Sequence, residues 1–154
     1  MNDVWEIFID GACSGNPGEA GIGVVINHKG KTVKEISKAI GEATNNIAEY
    51  SALIYALQEA ATFKAKNLKI FTDSELLHRQ VSGVYKVKNE KLKFLYDQVR
   101  LLIKGFDHVD LNHIRREKNK EADNLATESL KKKQTKVVAL LFENFGEESP
   151  SSKG

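Results

Sequence analysis

The hydrophobic pattern changes period near residue 44, and that change restricts the fold more than any other feature of the chain. Before it, apolar residues come in short runs or alternate. Residues 4–9 (Val-Trp-Glu-Ile-Phe-Ile) and 20–26 (Ala-Gly-Ile-Gly-Val-Val-Ile) are bounded by turn-forming residues and read as strands. Residues 32–40 give a third strand, with Val33 in phase with Glu35 and Ile36 in phase with Ile40. The Gly/Pro/Asn-rich residues 11–18 and the turn Asn27-His28-Lys29-Gly30-Lys31 connect the three as an antiparallel meander.

After residue 44 the spacing is helical. Ile47, Tyr50, Leu53, Ile54, Leu57 and Ala61 share one face, behind the candidate caps Thr44, Asn45 and Asn46. Leu68–Thr72 is a short strand ending at Asp73. A short helix follows around Ser74–Val81, then a longer one with Leu92, Leu95, Val99, Leu102 and Ile103 on one face. Val109, Leu111 and His113 mark a last strand, and Ala122, Leu125, Ala126, Ser129 and Leu130 a last helix. Three strands followed by alternating helices and strands predict an α/β fold: a mixed five-stranded sheet, its first three strands antiparallel, with helices on both faces.

At 154 residues the chain suits one domain, which we place at residues 1–133. Residues 134–154 form a tail with an apolar run, Val137–Phe142, and a polar end expected to be disordered. The N-terminus lacks a basic region followed by an apolar block, and no apolar run approaches the roughly 18–20 residues of a membrane span. With a single cysteine, Cys13, these features predict a cytoplasmic protein that does not engage membranes, expected to be a monomer. The formal net charge of +2 says little about partners. Six Lys/Arg against two acids between Val84 and Lys104 matter only if an acidic ligand is implied elsewhere.

Four acids sit at element junctions. Asp10 and Asp73 end the first and fourth strands, while Glu49 and Asp123 lie in the first turns of two helices. Singly, each suits a turn or complements a helix dipole. If the first and fourth strands are neighbours, the two aspartates emerge together and both helix starts can face them. Such a cluster repels itself unless cations bind it, and oxygen-only ligands suit Mg²⁺ or Mn²⁺. Two such ions roughly 3.5–4 Å apart form a clamp for in-line attack on a phosphodiester.

Asp10-Gly11-Ala12-Cys13-Ser14-Gly15-Asn16-Pro17-Gly18 resembles the first active-site motif of type 1 ribonuclease H. Thr44–Glu49, Phe71–Ser74 and Asn119–Ala126 resemble the second, third and fourth, in the same order. The resemblance covers roughly residues 4–130 and implies a ribonuclease H-like fold. It implies an endonuclease that cuts the RNA strand of RNA–DNA hybrids, leaving 5′-phosphate and 3′-hydroxyl ends. It further implies two Mg²⁺ ions, with Mn²⁺ as a substitute, held by Asp10, Glu49, Asp73 and Asp123. Asp10 would bridge the ions, Asp73 would hold the nucleophile-side ion, and Glu49 would bind the second ion and a substrate 2′-hydroxyl. Gly11, Ser14, Asn16, Thr44, Asn46, Ser74 and Arg116 are the candidate substrate contacts. Cleavage of double-stranded RNA and a catalytically silent nucleic-acid-binding domain are the alternatives.

The sequence departs from the family pattern twice. Residues 82–89 are too short for the long basic helical insertion of many bacterial members, which leaves Lys86, Lys88, Lys91 and Lys93 as the candidate grip on substrate. Many members also carry a loop histidine shortly before the last aspartate. His113 stands at that distance from Asp123, but it is in phase with Val109 and Leu111 and so belongs to the strand. The loop is then the short run Arg115–Asn119, in which Arg116 is the candidate substitute.

Overall fold

The computed structural model describes residues 3–132, so the boundary at 133 and the tail 134–154 lie outside the described residues. β1 (Val4–Cys13), β2 (Gly18–His28) and β3 (Lys31–Ala43) form the antiparallel meander. α1 (Asn45–Thr62) crosses to β4 (Asn67–Thr72), which pairs in parallel with β1. α2 (Glu75–Val81) and α3 (Glu90–Ile103) lead to β5 (His108–His113), parallel to β4. A short 3-10 turn, Arg116–Lys118, precedes a final helix over residues 120–132, here α4. The sheet order is β3-β2-β1-β4-β5, so the first and fourth strands are neighbours.

The expected glycine loop is shorter than its composition suggests. Gly11, Ala12 and Cys13 continue β1, paired with Ile22, Gly21 and Ala20, and only residues 14–17 remain outside strands. β3 likewise runs to Ala43 rather than stopping at residue 40. Both extensions have the same cause: the antiparallel partner β2 is long enough to satisfy backbone groups that composition assigns to a turn.

Each face of the sheet receives helices, for different reasons. On one face Trp5, Ile7, Ile9, Ile22, Val24 and Ile26 are buried under α1, which contributes Tyr50, Leu53 and Leu57, and under α3, which contributes Leu92 and Val99. On the other face the alternating positions of β2 are Gly21 and Gly23. A side chain at Gly23 would stand 2.7 Å from the Ala126 nitrogen and 2.9 Å from the Leu125 Cβ. The glycines therefore let α4 lie directly on β2, and Ser37 of β3 fastens it by donating to the Leu125 carbonyl at 2.6 Å. That close seating brings Asp123, in the first turn of α4, to the strand ends.

Capping fixes where the other helices begin. Thr44, Ser74 and Asn89 each accept from the backbone N–H three residues on, at 3.2, 3.1 and 3.1 Å. The starts of α1 and α2 are thus set beside the ends of β3 and β4, where Glu49 and Asp73 lie.

Candidate active site

The site forms where β1 outruns β4. Parallel pairing ends at Ile9 with Thr72, while β1 continues through Asp10 to Cys13 against β2 alone. Asp10 therefore stands at an opened edge, and Asp73 follows the last residue of β4. Alternation places Asp10 on the α4 face with Phe8, whereas Gly11 faces α1. Glu49 reaches the same edge from the first turns of α1, where its Oε1 accepts from the Gly11 N–H at 2.9 Å.

Ligand oxygens of Asp10, Glu49 and Asp73 lie within 4.8 Å of one another. Asp123 lines the same cleft, of about 500 Å³, with Asn45, Arg116 and Thr127. All four predicted acids therefore converge, three as a tight group and the fourth beside them.

Crowding anions in a buried place makes their charge unfavourable. Burial, with the nearby carboxylates of Glu49, Asp73 and Asp123, pushes Asp10 up to about 9. Glu49 is pushed up to about 8 by burial and Asp73, against the opposing pull of the Gly11 N–H and of Arg116. A set of hard oxygen donors that resists ionising together fits a divalent cation better than it fits water.

The other predicted residues divide. Arg116 lines the carboxylate cleft, whereas His113 ends β5 opposite Thr72, exposed, its ring 6.2 Å from that of His78. Asn16, Thr44 and Asn46 line a second cleft of about 660 Å³, with Asn89 and Lys91. Asn16 also accepts from the Asn45 N–H at 3.1 Å, tying residues 14–17 to the start of α1. Ser14 is exposed, its N–H donating to the Glu19 carbonyl at 2.8 Å, and Ser74 caps α2. Gly11 lines the carboxylate cleft. Of the lysines, Lys93 pairs with Asp97 at 2.8 Å, while Lys86, Lys88 and Lys91 form no ion pair among the described residues. The Cys13 thiol donates to the Ala43 carbonyl at 3.4 Å, and burial raises its pKa, which opposes thiolate chemistry.

Sequence reasoning missed Asn45, Thr127 and Asn119. The sequence marks Asn45 only as a cap, yet it lines the cleft with the carboxylates. Thr127 is four residues after Asp123, hence on its side of α4, a signal visible in the numbering. Asn119 is buried and donates to the Asp73 carboxylate at 3.1 Å.

Strand order and strand-end carboxylates define an α/β protein built around a cation-seeking acidic centre. Comparisons narrow the class. A family model described as reverse transcriptase-like matches residues 8–129. Ribonuclease HI of Halobacterium salinarum is 40% identical over 124 residues, 80% of this chain and 62% of that protein. A ribonuclease H of Chelativorans sp. is 35% identical over 79% of this chain and 82% of its own length. The chain matches only 35% of the length of a bifunctional Mycobacterium tuberculosis protein to which it is 39% identical. Among solved structures, RNase H1 of Halobacterium salinarum superposes with a TM-score of 0.82 at 38% identity, covering 84% of this chain and 98% of that one. LC11-RNase H1 in complex with an RNA/DNA hybrid gives 0.80 at 43% identity, covering 84% and 99%. The chain belongs to the type 1 ribonuclease H family.

Proposed function

We propose that the protein acts as a monomeric endonuclease on the RNA strand of RNA–DNA hybrids, leaving 5′-phosphate and 3′-hydroxyl ends. The observation that carries this reading is the convergence of Asp10, Glu49, Asp73 and Asp123 in one cleft. The similar LC11-RNase H1 is described in complex with an RNA/DNA hybrid, which supports the choice of substrate.

The four acids would hold two Mg²⁺ ions, or Mn²⁺ in their place. When bound, such ions supply an activated water and a counter-charge for the leaving oxygen. The chain's own groups do the rest. Glu49 has one oxygen fixed by Gly11, which leaves the other for a substrate 2′-hydroxyl, the group that separates RNA from DNA. Arg116 brings a permanent positive charge to an otherwise anionic cleft and is suited to the scissile phosphate. Asn45 lines the carboxylate cleft and Asn46 the second one, so the start of α1 joins the two. Asn16, Thr44, Asn46 and Lys91 are then placed to take the phosphate backbone, and Lys86 and Lys88, just before α3 in the chain, are the further basic candidates for it.

The test is a panel of end-labelled RNA–DNA hybrid, double-stranded RNA and double-stranded DNA with Mg²⁺, Mn²⁺ or chelator. Hybrid cleavage is expected with either metal and none with chelator. Chelator-resistant cleavage would sink the two-metal reading, and equal cutting of double-stranded RNA would sink the hybrid preference. Arg116→Ala is expected to lower turnover on the order of 10–10²-fold, with His113→Ala near wild type. The opposite ranking would return the role to the histidine.

A further inference from the structure

The starts of α1, α2 and α3 are capped in the ordinary way, by a side-chain oxygen accepting from a backbone N–H. The start of α4 is not. Asn119 occupies its cap position: its backbone carbonyl accepts from the Asp123 N–H at 3.1 Å, the first turn of the helix. Asparagine is among the preferred caps, and its Oδ1 would normally accept from an N–H of that turn. Here Oδ1 has no hydrogen-bond partner among the described residues, although the residue is only 1% exposed.

The amide is turned inward instead. Its Nδ2 donates to the Ile9 carbonyl at 2.8 Å and to the Asp73 Oδ2 at 3.1 Å. Both neighbours are acceptors, so the amide orientation is fixed without ambiguity. Each bond touches the acidic centre. Ile9 immediately precedes Asp10, Asp73 is itself one of the three clustered acids, and the residue's own carbonyl opens the turn that carries Asp123. A residue selected only to begin α4 would cap it.

We infer that Asn119 is a positioning residue for the metal centre, clamping Asp73 to the backbone beside Asp10 and setting Asp123 against both. This rests on the proposed function, because it supposes that the acids bind divalent cations. A ligand oxygen held by such a donor keeps one direction, and loss of this kind of support typically weakens metal binding about 10–100-fold.

The full chain, with Asn119→Ala and Asn119→Asp, provides the test. Asn119→Asp has the shape of asparagine and can cap, but it replaces the donor with an oxygen facing Asp73. The first readout is Mn²⁺ affinity by titration without nucleic acid, alongside the melting temperature. The second is the Mg²⁺ concentration giving half-maximal hybrid cleavage, with KM for hybrid at saturating Mg²⁺. Both variants are expected to bind Mn²⁺ about 10–100-fold more weakly and to need correspondingly more Mg²⁺, with KM within about twofold of wild type. Mn²⁺ affinity unchanged in a folded variant would overturn the inference, whatever the melting temperature. Failure of both variants to fold would overturn it too, by making Asn119 architectural. A wild-type protein whose Mn²⁺ affinity falls on losing Asn119 but which leaves hybrids intact would remove the proposed function and keep this inference.

Discussion

Asp10→Asn is expected to lower hybrid cleavage on the order of 10³-fold while raising the melting temperature of the metal-free protein. The two effects share one origin. Asp10 is 5% exposed and crowded by Glu49, Asp73 and Asp123, so its negative charge is unfavourable until a cation answers it. Asparagine keeps the shape and removes the charge. It therefore relieves the metal-free fold and impairs the metal-bound one, a stability gained where function is lost.

The sign fixes the pH dependence. In the unfolded chain both carboxyls lose their protons near pH 4. In the fold Asp10 keeps its proton to about 9 and Glu49 to about 8. Their contribution to stability is thus fully present below about pH 4 and is lost as pH rises through the folded values. Metal-free wild type should melt at progressively lower temperature between pH 5 and pH 9. Asp10→Asn should show a shallower decline, and saturating Mg²⁺ should raise the wild-type melting temperature most at the alkaline end. Melting curves at several pH values, with and without Mg²⁺, measure all three. A wild-type melting temperature that climbs with pH in chelator would contradict the crowding argument.

Much of this site is legible in the sequence because its acids stand where the hydrophobic period breaks. Asp10 and Asp73 follow apolar runs and Glu49 and Asp123 open helical ones, so element type and acid position come from the same pattern. Strand phase also placed His113 on β5 with Val109 and Leu111, as found. What the pattern lacks is any sign of which strands touch. Convergence depends on β1 lying beside β4, a non-local choice that composition does not encode. For the same reason Gly11–Cys13 resemble a loop: nothing local reveals that β2 continues far enough to pair them. Gly21 and Gly23 look like weak points in a strand until α4 is seen resting on them. Asn119 looks like an ordinary cap, and only its inward-turned amide distinguishes it.

Gly11→Ala should show how far the acidic centre depends on one missing side chain. A Cβ at residue 11 would lie 2.6 Å from the Ala48 carbonyl carbon and 2.7 Å from the Glu49 nitrogen. Both are helix backbone, so relief requires α1 to move away from β1 rather than a side chain to turn aside. Overpacking of this kind costs about 1–3 kcal/mol, and we expect the upper end. The displacement also lands on Glu49, whose Oε1 is held by the Gly11 N–H at 2.9 Å. Shifting that carboxylate by a fraction of an ångström relative to Asp10 and Asp73 is expected to lower kcat on the order of 10²-fold. Gly105→Ala is the control, since its Cβ would come no nearer than 3.4 Å to the Leu102 carbonyl oxygen. Denaturant unfolding and steady-state hybrid cleavage measure the two losses separately. Wild-type stability and turnover in Gly11→Ala would mean that the helix and strand are not as closely seated as these distances require. Loss of both, with Gly105→Ala unaffected, would mean that the glycine beside Asp10 is what allows a strand acid and a helix acid to meet.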